Sequence, residues 1–433
     1  MSMHRRRFLK TSAALAAGAT LFAPAVHATR RAKRYRTALI GSGWWGTNIL
    51  REAMRSEKCE LVALCDVDEN QLKVCAEDIG KVTSDQPKHY GDFRDVLDKE
   101  KPEIVIIGTP DHWHPLITIA AVKAGAHVYV EKPVGHTIYE GRAMIKAARD
   151  TGKVVQVGTH RRVSPHNMSG RKFLKEGHAG KIGMVRAFVH YPGDAGAKTP
   201  DTEPPKGLDW DMWCGPAPLR PFNPAIHPKG FRNFLDYANG TLGDWGIHWM
   251  DQILWWTEEK FPRKVSSVGG RHIKEDSTTA PDTQITTFDF DSFSAVWEHR
   301  QYADNNAEKH SIGCYFYGTQ GTFHMGWLDG WTFYPSSKSG KIVHEDPTLH
   351  EPDQQNIREL FADFLDAIEN DRRPVCDIEI GHRSTNMSLL GMLSLKLGRG
   401  VAWDGEKQVV IGDEHANKLL RREYRSPWVY PQA

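Results

Sequence analysis

Asp244 and His248 stand four residues apart in LGDWGIHWMDQILWW (242–256), and residues at that interval share one face of a helix. An alcohol is oxidised when a base takes the hydroxyl proton while hydrogen leaves carbon, and an imidazole of near-neutral pKa suits that task. Asp244 then either holds the substrate hydroxyl or orients the ring. Trp245, Trp249 and Trp256 fall on the same or neighbouring stripes, which puts an aromatic wall beside the polar pair. A third candidate is Lys132, in Glu131-Lys132-Pro133 at the end of an apolar run, whose ammonium is suited to bind or exchange a hydroxyl proton. Taken alone, the Asp–His interval also fits capping and packing residues, and the Lys132 stretch fits a solvated turn.

Gly41-Ser42-Gly43-Trp44-Trp45-Gly46 follows an apolar run at once and opens a helical stretch, so GxGxxG occurs in the setting that gives it meaning. Its glycines permit a tight turn, close approach of a pyrophosphate and strand-to-helix packing, while the helix N-terminus offers unpaired N–H groups. Asp66 ends the next apolar run twenty residues after Gly46, where a carboxylate accepts from a ribose diol and repels a 2′-phosphate, favouring NAD over NADP. Trp44 and Trp45 are placed to shield such a cofactor. Thr109 and His114 flank the end of another run on the same edge, which borders the cofactor, and Glu131 is placed to accept from the nicotinamide ribose. Asp111-His112-Trp113-His114 contains a His-x-His pair but no third ligand at a telling distance, so no metal is expected. In Thr159-His160-Arg161-Arg162, an arginine such as Arg161 binds a substrate oxygen or phosphate, or the group is a surface charge cluster.

These residues need a frame that brings them together. The runs TALIGSG, ELVALCD, EIVIIGTP, HVYVEKP and KVVQVGTH alternate with helix-like stretches at 47–56, 69–79, 115–124 and 138–151, the signature of a parallel sheet with crossover helices. Parallel strands place their carboxyl ends on one edge, so Lys132 shares an edge with the glycine turn. Strands are expected later at 183–191, 264–269, 284–290, 294–301, 311–318 and 322–327, with a hairpin at GTQGTF, and helices at 356–370 and 382–397. The Pro- and Gly-rich stretch 192–228 reads as a functional loop. The fold class is α/β plus α+β, a Rossmann-type parallel sheet followed by an open, mostly antiparallel sheet. The expected divisions are 1–28, 34–160 and 161–433.

Of 433 residues, 25% are charged and the formal net charge is +2, which leaves no single-sign field to recruit nucleic acid or a membrane surface. Six scattered cysteines lack zinc spacing and read as mostly buried thiols. Six of the fourteen tryptophans fall between Trp210 and Trp256, where aromatic faces could stack on sugar C–H faces or fill a core. At the start, Arg5-Arg6-Arg7-Phe8-Leu9-Lys10 precedes a weakly apolar stretch closing at Val26-His27-Ala28, which resembles a twin-arginine signal cleaved after Ala28.

Together GSGWWG, TPDHWHP, AGAHVYVEKP and GDWGIH resemble the Gfo/Idh/MocA oxidoreductases over most of the chain after the signal. The resemblance implies that Lys132, Asp244 and His248 form a catalytic triad with His248 as the base. It also implies an NAD(P)-binding domain followed by a sheet that carries the substrate side and assembles subunits into a homo-oligomer. Gly41, Gly43, Trp45, Gly46, Asp66, Thr109, His114, Glu131 and Lys132 are expected at the cofactor, and Arg161 and Trp245 at the substrate. Outside the cytoplasm, in the periplasm or beyond, no nicotinamide pool replaces a lost cofactor, so a folded, preloaded protein with captive NAD is expected. The expected activity is oxidation of a sugar, glycoside or polyol hydroxyl. The alternatives are a glycosidase that oxidises transiently and eliminates the aglycone, and a non-catalytic carbohydrate-binding protein.

Overall fold

The computed structural model describes residues 33–304 and 307–432, so the expected signal at 1–28 lies outside the described residues. A first sheet contains β1 (Tyr35–Ile40), β2 (Cys59–Cys65), β3 (Lys88–Tyr90), β4 (Ile104–Ile107), β5 (His127–Val130) and β6 (Val155–Val157). Every pairing in it is parallel, in the order β3-β2-β1-β4-β5-β6. That order reverses direction between β1 and β4, which opens a crevice at the carboxyl edge. Strand β4 is apolar throughout because both faces are covered: Ile104, Val105, Ile106 and Ile107 are all fully buried. The three-residue β3 and the helix Phe93–Lys99 escaped the sequence reading, being too short for a periodic signal. Lys132 therefore follows the fifth strand.

Local sequence sets the crossover helices. Asp68 caps Glu69–Ile79 by accepting from Asn70 N, and Thr137 with Glu140 forms a capping box for Ile138–Thr151, which Gly152 ends at φ 64°. One face of the sheet is completed by a late segment. Helix Pro352–Glu369 packs Ile357, Leu360, Phe361 and Phe364 in one cluster with Leu39, Ile49 and Tyr129.

The second sheet comprises β7 (Ile182–His190), β8 (Lys264–Gly270), β9 (Thr283–Asp289), β10 (Ser294–Arg300), β11 (Ile312–Gly318), β12 (Gly321–Gly326), β13 (Trp331–Pro335), β14 (Val343–Glu345), β15 (Val401–Asp404) and β16 (Val409–Val410). Its order is β14-β13-β12-β11-β7-β10-β9-β8-β15-β16, antiparallel except for β7 beside β10. GTQGTF forms the expected hairpin, with Gly318 opposite Gly321. Helices Ile247–Thr257 and Ile378–Leu397 cover one face, where Trp249, Trp256, Phe316 and Phe323 share a core. Trp249 and Trp256 thus belong to that core and not to an aromatic wall beside Asp244 and His248, because α-helical side chains there turn toward the sheet. The stretch 192–228 includes a short helix, Trp210–Cys214, and its Trp210, Trp213 and Phe222 pack into a small core of their own with Tyr237. All six cysteines are buried free thiols.

Candidate active site

A cavity of about 350 Å³ runs along the carboxyl edge of the first sheet. One end is built by the glycine turn. Gly41 takes φ +89°, and a Cβ on Gly46 would lie 2.1 Å from the Gly41 carbonyl oxygen, so the turn and the helix Trp44–Met54 can meet only without side chains. Gly43 faces open space, and no side chain caps that helix, which leaves its N-terminal N–H groups for a phosphate. Asp66 Oδ2 accepts from Ser42 N at 2.7 Å and Oδ1 accepts from Asp68 N at 3.0 Å. Burial pushes this carboxyl up to about 6, against the pull of those N–H donors. Phe93, Trp113, Ile117 and Met212 make an adjoining apolar slot. A glycine turn, an uncapped helix start, a half-buried acid and an apolar slot in one cavity fit a dinucleotide.

The other end joins segments that are distant in sequence. Lys132 Nζ donates to Asp244 Oδ1 at 2.7 Å and to the Asp244 carbonyl oxygen at 2.9 Å. Arg232 Nε donates to the same Oδ1 at 3.3 Å. Burial would raise the Asp244 carboxyl, but the Lys132 and Arg232 charges overcome it and hold the group below its ordinary value. Asp244 sits on a π-helical turn, Leu242–Gly246, that runs directly into helix Ile247–Thr257, where His248 lies in the first turn. His248 borders the cavity, and its Nδ1 is buried without a hydrogen-bond partner. Burial, then Lys132, His160 and Arg161, push its imidazole well below the ordinary histidine range. The near-neutral value expected from sequence is therefore corrected: an aqueous reference ignores desolvation and three neighbouring groups.

Glu131 and Thr109 border the cavity, and both Glu131 Oε1 and Thr109 Oγ1 are buried without partners. Burial raises Glu131 to about 7, opposed by the Lys132 charge. Trp45 and Trp245 also line the wall. His114 is a correction, since it does not border the cavity: its ring lies between the carbonyl oxygens of Pro133 (2.7 Å) and Thr109 (2.9 Å), tying two loops together. His112 is likewise turned inward, against the Trp213 carbonyl at 3.0 Å. Arg161 is a second correction. Its guanidinium lies 3.5 Å from the Trp327 ring centroid, behind the wall, and donates to the Trp327 carbonyl and to Asp353. Arg162 makes a bidentate pair with buried Asp251, which anchors the helix that carries His248.

Sequence reasoning passed over Arg232, Trp327 and Asp353, all of which border the cavity. The Trp327 ring meets His248 and Trp245, each with centroids 5.0 Å apart. No spacing rule could have found these three, because each comes from an irregular segment or an element end.

Residues 35–159 match the description "Oxidoreductase family, NAD-binding Rossmann fold", residues 189–430 match "Oxidoreductase family, C-terminal alpha/beta domain", and residues 2–22 match a twin-arginine translocation signal sequence. The chain is 35% identical over 157 residues to a glycosyl hydrolase family 109 protein of Stenotrophomonas maltophilia, covering 35% of this chain and 34% of that one. It is 34% identical over 116 residues to a levoglucosan dehydrogenase of Pseudarthrobacter phenanthrenivorans, covering 25% of this chain and 30% of that one. These matches span about a third of the relatives' length. A solved levoglucosan dehydrogenase, in complex with NADH and levoglucosan, superposes with a TM-score of 0.67 at 20% identity, over 86% of this chain and 99% of that one.

Proposed function

The chain belongs to the Gfo/Idh/MocA oxidoreductase family, and from that premise we propose that it oxidises a hydroxyl of a sugar, glycoside or polyol with a tightly held NAD. The observation that carries this reading is the Lys132–Asp244 contact with His248 in one cavity, continuous with the glycine turn and Asp66. Residues 34–160 are taken as the nucleotide domain and 161–433 as the substrate and assembly domain.

Gly41, Gly43 and the first turn of helix Trp44–Met54 would hold the pyrophosphate, and Asp66 the adenosine ribose. When bound, NAD supplies the acceptor for hydrogen leaving the carbinol carbon. Lys132 holds the substrate oxygen and stabilises negative charge as it develops there, while Asp244, itself held by Arg232, keeps the ammonium in place. His248, kept neutral by burial and nearby cations, receives the hydroxyl proton, which the same Lys132 charge makes more acidic. Trp245 and Trp327 exclude water and present ring faces to the sugar.

Residues 206–232, part of which line the cavity, support the reading of tight retention. Glu69 N donates to Gly207 O and Asp209 N to Val67 O, both at 2.9 Å, Trp113 Nε1 donates to Trp213 O at 3.0 Å, and His227 pairs with Asp68 at 2.8 Å. Lys229 lies over the Trp44 ring at 5.0 Å. Release of a nucleotide from beneath this strap requires several of these contacts to open together. Export through the twin-arginine route to the periplasm fits a protein that must load its cofactor before it leaves. Exposed Met184, Val268 and Ile285 on the open face of the second sheet support assembly of copies through that face.

The test is to denature the purified exported protein, identify the released nucleotide, and then follow reduction of bound NAD on adding sugars and polyols. Protein without nucleotide that also fails to bind added NAD would overturn the reading. A second reading, glycoside cleavage, is favoured by the relatives named glycosyl hydrolase family 109. Product analysis separates them: an aryl glycoside cleaved without net change in NAD selects the glycosidase.

A further inference from the structure

Outside the residues that line the cavity, the open face of the second sheet carries two clusters of potential metal ligands among the described residues. The first, His190 with Glu298 and Glu308, is already ion-paired: Glu298 pairs with Arg186 at 2.6 Å, Glu308 with Arg300 at 3.4 Å, and the imidazole lies between the two carboxylates. Its charges are balanced without an ion.

The second cluster is His310, His324 and Asp329, each with a ligand atom within 4.8 Å of the others. Here the polar atoms are not satisfied. His324, on β12, is 1% exposed, and its Nε2 has no hydrogen-bond partner. His310 Nε2 is also buried and unpartnered, while its Nδ1 lies 3.0 Å from Asp329 Oδ2. Two imidazole nitrogens left without partners in one small space cost free energy unless something binds them. The backbone around them leaves room. A Cβ on Gly313 would sit 2.6 Å from His324 Nε2, and one on Gly326 would sit 1.5 Å from Asp329 Oδ1, so glycine at both positions clears the space these ligand atoms occupy.

We propose that His310, His324 and Asp329 bind a borderline divalent metal ion such as Zn²⁺. Two imidazoles and a carboxylate suit such an ion, whereas magnesium and calcium prefer all-oxygen sets. Zinc–ligand distances of about 2.0–2.2 Å require the donors to approach to roughly 3.3 Å. The rings, now stacked with centroids 3.8 Å apart, must fan open for this, and half-exposed Asp329 must swing inward. The ion would tie β12 to the turn 326–330, which is closed by the Gly326 N to Gly330 O bond and carries Trp327 into the wall of the cavity. The site is structural in this account and does not depend on which reaction the cavity performs.

The test titrates chelator-stripped full-length protein with Zn²⁺ against a chromophoric chelator, beside His310→Gln, Asp329→Asn and the double variant. The expected result is one zinc per chain, bound at least tenfold more weakly by each single variant, with a thermal midpoint raised by zinc only in the wild type. Co²⁺ should give visible absorption bands in the wild type that the double variant lacks. Wild-type protein that binds no Zn²⁺, or binds it no better than the double variant, overturns the proposal. Both substitutions sit at the mouth of the cluster and leave buried His324 in place, so a folding failure does not obscure the outcome.

Discussion

The two ends of the cavity are built on opposite plans. At the nucleotide end, Gly41, Gly46 and Asp66 come from one contiguous strand–helix–strand unit, and Asp66 is held by main-chain N–H groups alone. At the reaction end, Lys132, Arg232, Asp244 and His248 come from segments spread over more than a hundred residues, and side chains hold one another. Electrostatics follow the plan. Asp66 has backbone dipoles but no cation, and burial raises it to about 6, whereas Asp244, likewise half-buried, meets two cations and is lowered. Two N–H donors thus leave Asp66 raised, whereas two whole positive charges overcome the cost of burial at Asp244.

Substitutions can break the contrast. The largest effect is expected at the reaction end, where His248→Asn or Lys132→Met should cut kcat by about 10²–10⁴-fold while the nucleotide remains bound, measured by turnover and by nucleotide content. Next comes Gly46→Ala. Its methyl group collides with the Gly41 carbonyl, so the protein should be purified without nucleotide and be less stable by about 1–3 kcal/mol in denaturant titration. Asp66→Ala should weaken NAD binding about 10–100-fold by calorimetry and narrow the preference over NADP. Unchanged NAD affinity would remove Asp66 from the ribose.

A pH series sharpens the comparison further. Asp66, raised when folded, contributes stability that is present below the ordinary carboxylate value and is lost as pH rises through about 6. His160 and His248, lowered when folded chiefly by burial, contribute stability that is present above the ordinary histidine value and is lost as pH falls. In nucleotide-free protein, Asp66→Asn should therefore gain thermal midpoint relative to wild type toward pH 8, and His160→Phe should gain toward pH 5. Parallel curves for the two variants would contradict the assignment. The smallest effect is expected for Trp44→Ala, which removes an exposed cation–π contact to Lys229 and should speed nucleotide release about 2–5-fold.

What could be seen in advance follows the same division. The glycine turn, Asp66 and the apolar strands were legible because their physics is local: a tight turn needs glycine, and a strand buried on both faces must be apolar. Lys132, Asp244 and His248 were named from short stretches and a family resemblance, yet nothing in their spacing gives the 2.7 Å contact between Lys132 and Asp244. His114 shows the converse, since it stands at the strand edge that periodicity gives but its side chain turns inward to two carbonyls. Arg161 likewise lies on the expected edge and ends behind Trp327.

By itself, then, the order of residues determined the two kinds of sheet, the edge on which the chemistry lies and the types of side chain available there, because periodicity and turn chemistry act over a few neighbours. Only the tertiary structure decided which of those side chains face the cavity, that Arg232 and Trp327 join them, and which carboxyls carry charge. Those outcomes depend on burial and on groups brought close from remote positions, and neither is a property of any short stretch of sequence.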